Sequence, residues 1–114
     1  MDLDPQRVPG MSLGELGLLL LTEATGRAAD RAADPSSADP SVGYIDVQSE
    51  AGRHGQEPAV KEAVIEAWAW LHAQGLTVVR RESSTQLLVS VTRRGRKALA
   101  EGLDWVRRNP FQEA

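Results

Sequence analysis

The sequence contains no cysteine, so it can form neither a disulfide framework nor a thiolate metal site. Histidine is scarce too: His54 lies in an Arg53-His54-Gly55 loop and His72 in a helical stretch, with no second ligand at i+4. Exposed or locally bonded imidazoles are the expected outcome. No G-x-G-x-x-G or G-x-x-x-x-G-K-[ST] loop is present, which removes the usual phosphate cradle. Glu62 and Glu66 share one helical face, a spacing that more often marks solvated surface than an acid–base pair. The serines at 36–37 and 83–84 sit where turns favour serine. These absences predict a protein that is not an enzyme, with no cofactor, metal or small-molecule substrate. Long apolar runs are also missing. Leu16-Gly17-Leu18-Leu19-Leu20-Leu21 is too short to span a bilayer, and Asp2, Asp4 and Glu15 have the wrong charge for a secretory leader. Neither membrane attachment nor targeting is expected, and a cytoplasmic location fits best.

What is present suits one small soluble domain. The chain has 114 residues, 41% apolar and 25% charged, enough for a single modest core. Aromatics make up only 4%, and three of the five are Trp68, Trp70 and Trp105, so their placement weighs heavily in so small a core. The net charge of −3 hides a split. Residues 1–74 hold five Lys/Arg against twelve Asp/Glu, a net of −7, whereas residues 75–110 hold eight against three, a net of +5. Two readings follow: a basic binding face, or an acidic and a basic half that attract each other within one fold.

Ser12-Leu13-Gly14-Glu15 reads as a capping box, and Leu13, Leu16, Leu20 and Ala24 form one helical stripe after it, widened by Leu18 and Leu21. Gly26 either ends that helix or only weakens it, because Arg27 to Ala33 is Ala-rich; Asp34-Pro35 stops it. A twofold Ala-Asp-Pro-Ser follows in a stretch expected to be loop, then Gly43 to Val47 as a brief strand and Ala51 to Gln56 as loop. Pro58 opens the clearest helix, which runs to about Gln74 with Gly75 as its stop. Val60, Ala63, Val64, Ala67 and Leu71 share its apolar arc, with Trp68 and Trp70 at the two edges, about 160° apart. Each indole is expected to pack on a different neighbour; the alternative is an exposed tryptophan at an interface. Val78-Val79 and Leu87 to Val91 flank a Ser83-Ser84-Thr85 turn as a β-hairpin, with Leu87, Val89 and Val91 on one face. Thr92 caps a last helix from Arg93 to about Arg108, with Leu99, Leu103 and Val106 buried.

Trp70-Leu71, Gly75-Leu76, Val91-Thr92 and Arg94-Gly95-Arg96 together resemble the stretch in which winged-helix domains, such as the MarR-like regulators, pass from a helix through the wing into the next helix. Glu66-Ala67-Trp68-Ala69-Trp70-Leu71 with Thr92-Arg93-Arg94-Gly95-Arg96 is similar to a winged-helix-like segment of bacterial abortive-infection or phage-defence proteins. The resemblance covers about residues 58–99. It implies an α+β fold, a small winged-helix-like domain with three main helices and a β-hairpin wing in the C-terminal half. The expected organisation is a flexible N-terminus at 1–11, one domain at 12–109 with a mobile loop at about 34–57, and a tail at 110–114. The sequence departs from the family in one respect: residues ahead of Pro58 show no periodic helix to pair with the one that follows.

A recognition helix at Pro58–Gln74 would turn Glu62, Glu66, Ala69 and Ala73 to the major groove, where phosphates and most base edges call for Arg, Lys, Asn or Gln. The basic residues lie later. Arg80, Arg81, Arg93, Arg94, Arg96 and Lys97 are the candidate partner-binding residues, joined by Trp68 or Trp70 as an anchor. Arg93 and Arg94 sit in a helix first turn, where cations oppose the dipole, a small cost that hints at a partner. The leading expectation is a non-enzymatic adaptor that mediates protein–protein assembly in a bacterial defence or regulatory system. The alternatives are a DNA-binding regulator that contacts phosphates through its wing, and a homodimer built on the Leu-rich first helix.

Overall fold

Ser12 begins the first long helix by accepting a hydrogen bond from the Glu15 N–H at 3.1 Å, as the capping sequence predicts. In the computed structural model, which describes residues 8–33, 44–54 and 57–111, this helix is α1, Leu13–Ala32. It passes Gly26 without a break. Leu16, Leu20, Leu21, Ala24 and Ala28 are buried, while Leu18 and Leu19 are half-buried against the core. The leucine-rich run is thus mostly used inside the molecule, and Leu13 is its exposed member. Residues 1–7 of the expected N-terminal segment, 34–43 and 55–56 of the expected loop, which include all of the Ala-Asp-Pro-Ser pair but Ala33, and residues 112–114 lie outside the described residues.

After a short strand β1 (Ile45–Asp46) comes a helix that the sequence reading takes for loop: α2, Val47–Arg53. Asp46 starts it, its carboxylate accepting from the N–H groups of Gln48 at 3.1 Å and Ser49 at 3.4 Å. Glu50 then holds it down. This carboxylate is buried and takes a two-pronged bond from Arg27 on α1: Nε to Oε1 at 3.2 Å, and the terminal nitrogen to Oε2. Arg53 stands 3.6 Å from the same carboxylate.

Helix α3, Pro58–Ala73, matches the expectation and ends as its glycine predicts. Gly75 takes a left-handed φ of +72°, the Gly75 N–H donates to the His72 carbonyl, and the Leu76 N–H to that of Leu71. This is a Schellman closure, and it aims Leu76 into the core. Strands β2 (Thr77–Glu82) and β3 (Leu87–Val91) form the hairpin, closed by Ser83, whose hydroxyl accepts from the Gln86 N–H at 3.1 Å. β3 also pairs with β1, giving one antiparallel sheet in the order β1-β3-β2 with a register shift between Val79 and Arg81.

Thr92 then caps α4, Arg93–Glu101, accepting from the Gly95 N–H while its own hydroxyl donates to the Gly75 carbonyl at 2.6 Å. The last helix is not continuous to Arg108. Gly102, at a φ of +93°, breaks it, and α5 (Leu103–Arg108) sets off in a new direction. The break lets Leu103 reach α1, where a Cβ on Gly14 would lie 2.5 Å from a Leu103 methyl. Gly17 serves the other contact on that face: a Cβ there would lie 3.0 Å from the Trp70 ring. The domain is therefore a small α+β unit of five helices and a three-stranded antiparallel sheet among the described residues. Among those residues no helix is long and apolar enough to cross a membrane.

Candidate functional site

The six basic residues differ in exposure and in the groups they bond. Arg80 and Arg81 are exposed on the hairpin, with Arg80 Nε donating to Ser90 Oγ at 2.8 Å. Arg96 lines a hollow with Ala28, Tyr44 and Ser90 and donates to the Val91 carbonyl at 3.3 Å. Arg93 and Arg94 line a different hollow, beside His72, Val78 and Phe111. Lys97 is exposed but paired to Glu101 one turn on, at 3.2 Å.

Arg94 is the clearest departure from the docking role. It is half-buried, its Nε donates to the Gln74 carbonyl at 2.7 Å, and its guanidinium lies over Trp105 at 5.2 Å and Phe111 at 5.7 Å. The cost of a cation in the first turn of α4 is thus offset within the chain, by the free carbonyl at the end of α3 and by two aromatic faces. Phe111 also covers Gly75, where a Cβ would meet its ring at 2.5 Å. Gly75→Ala is expected to cost about 1–2 kcal/mol in urea unfolding, from the left-handed backbone and the displaced ring. In a Phe111→Ala background the ring's share of that cost should vanish.

Neither Trp68 nor Trp70 is an exposed residue. Trp70 is half-buried across Gly14 and Gly17 of α1, and Trp68 is only 5% exposed. Each indole meets a different neighbour, as the wheel predicts, because Trp68 instead faces the hairpin. His54 is buried at the end of α2 and His72 is exposed on α3. Among the described residues no group of three or more His, Asp or Glu side chains is placed to hold a metal ion.

Helix α3 presents the least ordinary surface. Glu62, Glu66, Ala69 and Ala73 are exposed, as its wheel predicts, but Ile65 stands among them at 57% exposure. Beyond Ile65 the helix opens onto a groove of about 320 Å³ against the hairpin. Trp68 and Val89 form its deep side, Val79 and Leu87 the opposite wall, and His72 and Glu82 also line it. No known family, curated protein or solved structure matches the chain. The surface itself therefore carries the functional reading. Sequence reasoning missed this groove, although an isoleucine between two glutamates on a polar face was its one visible sign. The opposite wall depends on where the hairpin folds back, which no local pattern states.

Proposed function

We propose that this chain is a non-enzymatic, winged-helix-like binding module that docks a protein partner. The order α1-β1-α2-α3-β2-β3, with the sheet ordered β1-β3-β2, supports the winged-helix reading: a helix pair is followed by a hairpin that stands as the wing. The assignment to an assembly role in bacterial defence or regulation rests on the resemblance of residues 66–71 and 92–96, and the cytoplasm is its proposed setting. One observation carries the choice of a protein over DNA. The outer face of α3, which a duplex-reading member would lay in the major groove, offers Glu62, Ile65, Glu66 and Ala69. Its one lysine, Lys61, is half-buried. The two carboxylates repel phosphate, the isoleucine offers it no donor, and together they suit an apolar, partly charged protein surface.

A second reading has one observation in its favour. Helix α2 stands directly ahead of α3, supplying the helix pair that the sequence lacked, so Arg80, Arg81, Arg93 and Arg96 could contact phosphates beside it. Anisotropy of a short fluorescent duplex, titrated against salt, separates the two. We expect no saturable binding at low salt. Binding with a log–log salt slope of about −4, abolished by Arg80→Ala/Arg81→Ala, would overturn the protein-docking reading.

A further inference from the structure

We propose that the groove between α3 and the hairpin holds an apolar segment of the partner protein flanked by lysine or arginine, an inference that rests on the protein-docking reading and names its partner chemistry. The groove's volume of about 320 Å³ is near the lower end of enclosed ligand sites, ~300–1,000 Å³, room for a few aliphatic side chains rather than a cofactor. Its walls are apolar yet open to solvent: Ile65 is 57% and Val79 38% exposed, whereas among the described leucines all but Leu13 are buried or half-buried. Trp68, at the deep side, is 5% exposed and its indole N–H has no hydrogen-bond partner among the described residues.

Charge decides the occupant. Glu62 and Glu66 flank Ile65 on the exposed face of α3, and Glu82 lines the groove from the hairpin. None of these three carboxylates has an ion pair among the described residues. A second copy seated groove to groove about a two-fold axis would bring glutamates against glutamates, which self-complementary interfaces avoid. Nucleic acid and anionic membranes meet the same repulsion. A segment with apolar side chains for Ile65, Val79 and Leu87, and a Lys or Arg on either side for the glutamates, meets both the apolar and the charged demand.

The test is selection of a random peptide library displayed on phage against the full chain, followed by affinity measurements on the enriched peptides made synthetically. The expected peptides carry an apolar cluster with flanking Lys or Arg. Their affinity should fall about tenfold or more with Ile65→Asp, fall with Glu62→Lys/Glu66→Lys, and weaken with salt. Because Ile65 is mostly solvent-exposed, an unchanged unfolding midpoint for Ile65→Asp assigns its loss to the groove. A library yielding no binders, or acidic peptides only, overturns the inference. Peptides lost with Arg80→Ala/Arg81→Ala but kept with Ile65→Asp overturn it while sparing the protein-docking reading. A dimer dispersed by Ile65→Asp overturns it in favour of a second copy.

Discussion

Gly95→Ala is expected to destabilise the domain by about 3 kcal/mol, lowering the thermal midpoint by roughly 12 °C for a chain of this length. Gly95 is buried in the first turn of α4, against the chain just past the end of α3. A Cβ there would lie 2.2 Å from the Leu76 carbonyl oxygen and 2.7 Å from a Val91 methyl. Neither neighbour can give way cheaply. Leu76 is held by the Schellman closure of α3, and its carbonyl accepts the Thr92 N–H at 3.1 Å. The whole of α4 must move, and with it Thr92, whose hydroxyl ties the Gly75 carbonyl to the Gly95 N–H. A conservative exposed substitution on the same helix, Ala100→Ser, should change the midpoint little. Equal stability of Gly95→Ala and the parent chain in urea unfolding would contradict this packing.

Arg27→Ala is expected to cost a similar amount, about 3 kcal/mol, because it strands the Glu50 carboxylate inside the fold. The side chain of Glu50 is 4% exposed, against 26% for Arg27. Removing the arginine therefore leaves the more deeply buried charge without its main partner, with only Arg53 nearby. Glu50→Ala should cost less, since Arg27 can still reach water. The double variant Arg27→Leu/Glu50→Leu should recover much of the loss, as it removes both charges and puts apolar side chains of similar reach in their place. A double variant as unstable as Arg27→Ala would contradict this account of how α2 is held. Equilibrium unfolding of the set measures each difference, and added salt should alter the Arg27→Ala deficit little, because a buried pair is weakly screened.

These two sites show what a linear reading reaches and what it misses. Helices α1 and α3, the hairpin and the Thr92 cap were legible because their signals are local: Ser12 with Glu15, Pro58 with Gly75, and β-branched runs about Ser83-Ser84-Thr85. Helix α2 was not. Its seven residues, VQSEAGR, carry no apolar period, and it is held by Asp46 at its start and by Arg27 at a separation of 23 residues. The break at Gly102 was hidden in the same way, because Leu99, Leu103 and Val106 keep a helical period across a turn whose purpose is to bring Leu103 to Gly14. Among the arginines, local sequence could not distinguish exposed Arg93 from its neighbour Arg94, which stacks between Trp105 and Phe111. The candidate groove was half legible. Ile65 marked one wall, and folding supplied the other from the hairpin.

A protein-docking role requires that the outer face of α3 does not meet nucleic acid. Amide chemical shifts of the isotope-labelled chain, followed while duplex DNA is added at low salt, test it residue by residue. The expected result is that the amides of Glu62, Ile65, Glu66 and Ala69 hold their positions throughout, whatever weak, salt-sensitive movement the amides of Arg80, Arg81 or Arg93 show. Saturable shifts running along α3 would contradict the account, for they would put the duplex on the face assigned here to a protein.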